Sequence, residues 1–281
     1  MSGLELSAAV GLDHIGIAVP DLDAAASDFA ALGFHVTPRA LHAGGRTANR
    51  CVMLRDGGYL ELMAIVPGHR SATLERFLAH GPGAHSLAME VADEQAAAAR
   101  LGRAGFDAVM PANLERDAGF DGRAARFSLI MPPDPPEGRV FLVRHLTREL
   151  LWRSETTAHP NGALALREAV YAVDVPAETA AFLSRVSGCA AEPDPLGGYR
   201  IPLGRGEIRV LPRTAAAALF PGPAGALFPG SAGAWFPDPA GAWFSGPAGA
   251  GAPMIGLTLA AEAGGEGVLH AAGVSLRFIV P

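Results

Sequence analysis

The first 66 residues alternate between two hydrophobic periods, one typical of strands and one typical of a helix. They predict a unit of one strand, one helix and three strands, at 12–19, 22–32, 34–37, 48–54 and 59–66. Asp21 is placed to cap the helix and Gly33 to end it. The last two strands form a predicted hairpin across the turn at 55–58.

The same order of elements recurs along the chain. A second unit is predicted at 85–91, 93–104, 106–110, 124–131 and 139–145, and a third at 166–173, 176–186, 199–203 and 207–211. A fourth, reduced unit has strands at 254–259 and 274–280 and a short helix near 267–272. One such unit cannot bury both faces of its sheet, so we expect an α+β fold of four βαβββ modules in two pairs. The predicted divisions are a module pair at 1–150, a linker at 151–162 and a second pair at 163–281.

Four tandem octapeptides, beginning with LFPGPAGA at 219–226, fill residues 219–250 between units three and four. A Pro or Gly every few residues excludes a continuous helix or strand ladder. Two interpretations stay open: an aromatic lid or binding tail, or an expanded surface loop with no selected role.

The composition excludes several catalytic mechanisms and several kinds of partner. All 22 basic residues are Arg, so a lysine Schiff base, a P-loop lysine and a Ser-Lys dyad are excluded. The net charge of −6 argues against a nucleic-acid partner. No apolar run reaches the roughly 20 residues of a membrane span, and Cys51 and Cys189 have no metal-ligand spacing. We expect a cytoplasmic protein without a membrane partner.

Three residues stand out as candidate metal ligands. His14 shares its predicted strand with small neighbours, Glu61 lies within an apolar strand, and His85 opens unit two at the position that His14 has in unit one. A carboxylate in such a strand is costly to bury unless it is paired or bound to a metal. Each residue alone has a structural alternative: a core histidine, a solvent-facing glutamate and a strand-edge histidine. Together they favour a divalent metal site.

The segments LDHIGIAVPDLDAA, YLELMAI and AHSLAMEV resemble the vicinal oxygen chelate superfamily. HAGGRTANR at 42–50, YLEL at 59–62, RHLTRELLW at 144–152 and HPNGA at 159–163 are more similar to its glyoxalase-like proteins. The resemblance implies paired βαβββ modules and a divalent ion such as Zn, Ni, Fe, Mn or Co. By position, it implies His14, Glu61 and His85 as ligands.

The chain departs from the glyoxalase pattern at the fourth ligand. The pattern expects a ligand on the last strand of module two, where this sequence has Phe141 or Leu142, depending on register. His145 lies three or four residues further, about 10–13 Å along a strand, and could serve only after a bulge or register slip.

The second half lacks these ligands. Glu168 occupies the place of His14, Arg209 that of Glu61 and Ile255 that of His85. We expect a Glu168–Arg209 ion pair in place of a metal, in a half that is structural or forms a lid or interface.

Several polar residues are candidates for substrate contacts. Arginines near the site can hold a carboxylate bidentately, although each can equally be a solvated loop residue. The predicted substrate-binding residues are Arg46, Asn49, Arg50, Tyr59 and Arg144; His42 and Thr47 belong to the same Gly-rich segment as the first three.

The leading hypothesis is a lyase or isomerase of glyoxalase type. A metal would polarise vicinal oxygens of a small substrate and stabilise an enediolate-like intermediate, with Glu61 as the proton-transfer base. Two alternatives stay open: a non-haem iron dioxygenase with a two-His, one-carboxylate triad, and a resistance-type protein that binds a small molecule without catalysis. A homodimer is possible.

Overall fold

The computed structural model describes residues 8–79, 81–106, 109–118, 122–133, 138–220, 254–261 and 267–280. The octapeptides from residue 221 onward lie outside the described residues, as does His80. None of the described helices is long and apolar enough to cross a membrane.

The first two units form one eight-stranded mixed sheet. The first unit comprises β1 (Ala9–Ala18), α1 (Leu22–Ala31), β2 (Ala40–Leu41), β3 (Thr47–Met53) and β4 (Tyr59–Ile65). Helix α2 (Ala72–Leu78) leads to the second, with β5 (Gly83–Val91), α3 (Glu94–Arg103), β6 (Ala112–Asp117), β7 (Ala124–Ile130) and β8 (Arg139–His145). The strand order is β2-β3-β4-β1-β5-β8-β7-β6, and its two end strands contact each other, so the sheet encloses a concave interior.

The second half repeats this plan. After a 3₁₀ turn at Arg148–Leu150, its elements are β9 (Ala163–Val173), α4 (Pro176–Ser187), β10 (Glu192–Pro193), β11 (Tyr199–Pro202), β12 (Glu207–Pro212), α5 (Arg213–Leu219), β13 (Met254–Ala261), β14 (Gly267–Ala271) and β15 (Val274–Ile279). The order of the seven strands is β10-β11-β12-β9-β13-β15-β14. In both halves the first strand pairs parallel to the last strand of its own module and antiparallel to the first strand of the next. The predicted α+β fold of paired modules is confirmed.

Local signals explain the helix ends. The carboxylate of Asp21 accepts hydrogen bonds from the Asp23 and Ala24 amides, as expected of an N-cap. Gly33 has φ +83° just after α1, a conformation that glycine adopts without strain.

Two predicted strands are wrong. Residues 34–37 are irregular; Phe34 is buried, which produced the apolar signal, but strand pairing begins only where Ala40 faces Asn49. Of residues 106–110, the described ones are also irregular, and β6 lies at Ala112–Asp117 instead. That edge strand is mostly exposed, so no apolar alternation marks it.

The short helix expected near 267–272 is also wrong. Residues 267–271 form strand β14, which pairs antiparallel with β15. Ala272 and Gly273 both have positive φ, the geometry of a two-residue hairpin turn. The tight turn therefore makes this segment a hairpin and leaves the fourth module without a helix among its described residues.

One apolar core joins the two halves. Its buried side chains come from both sheets, including Leu12 and Ile15 of the first and Leu166 and Leu257 of the second. The hairpins dock reciprocally: the Asp56 carboxylate accepts from the Leu166 amide, and the Leu12 amide donates to the carbonyl of Arg205. The division at 151–162 stays a prediction, although the residues there include buried His159, which hydrogen-bonds the carbonyl of Met53.

Candidate functional site

The concave interior of the first sheet contains a cavity of about 330 Å³, a size suited to a small molecule. All four predicted metal ligands, His14, Glu61, His85 and His145, line it. Asn49 lies beside it, bonded to Glu61, and Tyr59 is part of its wall. The repeat thus brings side chains from β1, β3, β4, β5 and β8 to one place.

Glu61 is buried but well supplied with hydrogen bonds. Its Oε1 accepts from Asn49 Nδ2 at 2.5 Å and from His42 Nε2 at 3.2 Å. The Thr47 hydroxyl lies 2.9 Å from His42 Nδ1 and can donate to it, which leaves the proton on Nε2 for Glu61. Burial alone would raise the pKa of Glu61, but His42 and His14 hold it well below the usual range. The side chain is therefore a carboxylate.

His14 is fixed by a residue that the sequence pattern did not single out. Its Nδ1 lies 2.6 Å from the Asp13 carboxylate, which is fully buried and also lies 3.1 Å from His145 Nε2. Although burial would raise the pKa of Asp13, the two histidines hold it far below its usual value. Asp13 was missed because strict alternation places it on the opposite face from His14.

A β-bulge brings Asp13 to the site. The register between β1 and β5 shifts between Leu12 and His14, so alternation breaks there. Leu12 packs in the apolar core, whereas His14 lines the cavity, so these two residues lie on different faces although regular alternation would place them on one. An acidic residue next to a strand histidine was the only sequence signal.

The ring of His14 is aimed at Glu61. Its Nε2 lies 3.6 Å from Glu61 Oε2, while its Nδ1 is committed to Asp13. In the tautomer that donates from Nδ1, a neutral imidazole has its lone pair on Nε2, and this lone pair would face Glu61 Oε2. A proton or a metal cation between them would satisfy both.

The donor set fits a divalent metal in kind, although among the described residues no three His, Cys, Asp or Glu side chains are gathered as a coordination shell. The Asp13–His14 hydrogen bond is the type that commonly orients a metal-ligating histidine. His85 is buried in the same cavity, and burial, assisted by the charge of Arg139, lowers its pKa to about 4. It is therefore neutral, as a ligand must be.

The structure resolves the register at the fourth position. Phe141 lines the cavity, with its ring 5.5 Å from that of His14, whereas Leu142 packs in the core. His145 is held by Asp13, and its ring lies 4.8 Å from that of Trp152. The Asp13 carboxylate thus contacts both His14 and His145, and Phe141 occupies the fourth position.

Of the five predicted substrate contacts, Tyr59 lines the cavity, Asn49 borders it through Glu61, and the three arginines lie outside the lining. Arg46 is exposed, Arg144 forms an ion pair with Glu94 at 2.6 Å, and Arg50 pairs with Asp23 at 2.7 Å. Strand alternation turns Arg50 to the face opposite Asn49.

Arg116 and Arg139 line the cavity and were not predicted. Arg116 is 7% exposed on β6, whose position the sequence did not show. Its guanidinium lies 4.0 Å from the Sγ of Cys51, and burial raises the pKa of that thiol to about 12, so the thiol is neutral.

The corresponding positions of the second half match those inferred from sequence. Glu61 faces Gly16 of β1, and Arg209 faces the equivalent residue of β9, Val170. His85 lies at a register shift in β5, and Ile255 lies at the equivalent register shift in β13. Arg209 Nη1 lies 3.5 Å from Glu168, and its other nitrogens bind Asp194 at 2.8 and 2.9 Å.

Paired βαβββ modules around such a cavity define a protein of the vicinal oxygen chelate superfamily. More narrowly, residues 12–187 match the model of the glyoxalase-like domain, and the chain belongs to that family.

Among three similar solved structures, one supports the fold over the whole chain. A hypothetical protein from Staphylococcus aureus superposes with a TM-score of 0.68 at 13% identity, over 96% of this chain and 99% of that one. A methylmalonyl-CoA epimerase from Mycobacterium tuberculosis is 28% identical over 49% of this chain and 89% of its own, with a TM-score of 0.37. A xylose isomerase-like TIM barrel/4-hydroxyphenylpyruvate dioxygenase fusion protein is 17% identical over 91% of this chain and 37% of its own, with a TM-score of 0.48. No curated protein matches the chain.

Proposed function

We propose that the cavity is the active site of a divalent-metal-dependent, glyoxalase-like enzyme that acts on a small substrate with vicinal oxygens. The observation that carries the proposal is the approach of His14 Nε2 to Glu61 Oε2, 3.6 Å apart in the cavity wall, while His14 Nδ1 is engaged by Asp13. A divalent ion between these two atoms would have a ring nitrogen and a carboxylate oxygen as ligands.

His14, Glu61 and His85 would hold the metal, leaving positions open for substrate or water. A bound divalent ion would supply Lewis-acid polarisation of a substrate oxygen. Asp13 keeps the proton of His14 on Nδ1, and His42 and Asn49 orient Glu61 through Oε1. These bonds fix the site before substrate arrives.

We assign proton transfer to Glu61. Its Oε1 is engaged by His42 and Asn49, whereas Oε2 faces Nε2 of His14 at 3.6 Å. The apolar side chains of Phe127, Phe141 and Val143 line the same cavity and limit the access of water to that oxygen. The reaction class supported best is a lyase or isomerase.

Metal content tests the proposal directly. Native protein without an affinity tag should bind about one equivalent of a divalent ion, measured by elemental analysis after incubation with Zn, Ni, Fe, Mn or Co and removal of the excess. His14→Ala and Glu61→Gln should each lose it. Matched controls are His35→Ala and Glu178→Gln, because both residues are exposed and outside the cavity lining. Native protein that binds none of these ions would refute the proposal.

One observation favours a second candidate, metal-free binding of a small molecule. The cavity walls are largely apolar, with Met63, Leu129 and Phe141 among them, and Glu61 already has His14 and His42 beside it. Ligand-induced stabilisation without any metal uptake would favour it. The dioxygenase alternative uses the same three ligands, and oxygen consumption that requires iron would distinguish it from a lyase or isomerase.

A further inference from the structure

We propose that the cavity selects an anionic substrate, and that the guanidinium of Arg116 binds its carboxylate or phosphate group. The inference rests on the proposed function, since it names the substrate class of that same site.

Arg116 is unusual in its own strand. The other residues of β6 are exposed or half-buried, whereas Arg116 is 7% exposed. An edge strand offers a long charged side chain easy access to water, yet this one is turned into the concave interior of the sheet. There it lines the same cavity as Glu61 and His14.

The guanidinium has no anionic partner within the described part of the chain. Nη1 donates to the carbonyl of Asp117 at 3.0 Å, Nη2 approaches the thiol of Cys51 at 4.0 Å, and the group lies 5.8 Å from the ring centre of Phe127. Most other buried or half-buried arginines have an anionic partner: Arg148 and Arg205 bind Glu90, and Arg209 binds Asp194.

Leaving a buried cation without an anion costs free energy, and a planar guanidinium matches the oxygens of a carboxylate or phosphate bidentately. Glu61 does not fill this role, because its hydrogen bonds come from His42 and Asn49. A ligand anion would complete the environment of Arg116.

The position of Arg116 also limits ligand size. Cys51 faces Glu61 across neighbouring strands, so Arg116 is separated from the proposed metal position by about the width of one side chain. A small organic acid with a further oxygen a few bonds from its charged group would reach both ends of the cavity.

Thermal denaturation with defined probes tests the proposal. Malonate and inorganic phosphate are titrated into metal-depleted protein at constant ionic strength, with neutral malonamide as the control. We expect saturable stabilisation by malonate, phosphate or both, and none by malonamide. Which anion is effective distinguishes a carboxylate from a phosphate ligand. Absence of stabilisation by either anion would overturn the inference.

Two variants make the test specific. Arg116→Met should weaken anion binding by about tenfold or more, whereas Arg144→Met, outside the cavity lining, should bind as native protein does. Equal anion binding by native protein and Arg116→Met would refute the proposal. If Arg116→Met also loses stability without ligand, Arg116→Lys decides: retained anion binding supports the inference, and lost binding overturns it.

The test of the anion site can be distinguished from the test of the proposed function. Arg116→Met should keep the metal content of native protein, since no predicted ligand is removed. A protein that binds anions through Arg116 but takes up no metal would refute the metalloenzyme and retain the anion site.

Discussion

The two halves of the molecule carry the same strand plan but use the equivalent interior positions differently. In the first half these positions hold His14, Glu61 and Phe141; in the second they hold Glu168, Arg209 and Arg277. Arg277 donates to Glu168 at 2.7 Å, and Thr258 also hydrogen-bonds that carboxylate. Among the described residues, the second set forms ion pairs of its own, whereas the first set lines a cavity together with the buried Arg116.

Apolar packing also differs between the two halves, because a large side chain fills the interior of the second half. In the second half Phe220, fully buried after α5, packs against Val170 and Leu211. Its ring occupies the space where a side chain at Gly256 would project. In the first half the equivalent of Val170 is Gly16, next to His85 and Ser86. A common backbone therefore accommodates either a filled interior or an open one, according to side-chain volume at a few positions.

The largest expected effect is a loss of stability when the filled interior of the second half is emptied. Phe220→Ala should reduce the free energy of unfolding by about 3–5 kcal/mol, because a fully buried aromatic ring is removed from packed surroundings. Phe141→Ala, the matched change beside the open cavity, should cost clearly less. Urea denaturation measures both, and equal losses would contradict the contrast.

The half-buried ion cluster of the second half comes next. Glu168→Gln should reduce the free energy of unfolding by about 2–4 kcal/mol, because Arg209 and Arg277 lose a shared counter-charge. Metal and anion binding in the first half should be unchanged. The matched Glu61→Gln should abolish metal binding with a smaller loss of stability. A reversed pattern would show that the halves have been assigned wrongly.

Gly16 tests how the open interior is kept open. A Cβ at this position would lie 2.2 Å from Ser86 Oγ and 2.8 Å from His85 Cε1. Gly16→Ala should therefore displace His85, lower metal affinity and cost about 1–3 kcal/mol. Gly102→Ala, where a Cβ meets no neighbour within 4 Å, is the control. Titration with Zn and thermal denaturation report the two effects.

The smallest effect is expected at surface ion pairs outside both interiors. Arg144→Met removes the pair with Glu94 and should change the free energy of unfolding by no more than about 0.5 kcal/mol, because exposed pairs are screened by solvent. A larger change in urea denaturation, or lost binding, would show that the first site extends beyond the cavity.

Much of the fold could be predicted because apolar periodicity is strong in buried elements. Strand β8 was predicted at 139–145, the bounds that it has in the structure, and the equivalence of Glu168 with His14 followed from the repeat. The same repeat brought His14, Glu61 and His85 to one cavity.

The missed residues share a physical cause. Arg116 lies on an exposed edge strand, Asp13 is turned inward by a bulge, and Arg277 takes a position that only the strand register reveals. Such features depend on contacts between strands distant in sequence, and a single strand's pattern does not encode them. Arg46, Arg50 and Arg144 were proposed from charge alone, which does not indicate the face on which a side chain lies.

The reciprocal hairpins have a consequence for how the chain can be shortened. The Leu12 amide, one residue before the bulge that presents Asp13 and His14, donates to the carbonyl of Arg205 at 2.9 Å, and Arg205 also binds the carbonyl of Leu12. Removing residues after 150 would leave this stretch of β1 without those partners and would expose Leu12 and Ile15 to water. The second half thus supports the geometry of the first. A first half truncated after residue 150 should therefore lose the alignment of His14, although every predicted metal ligand is still present.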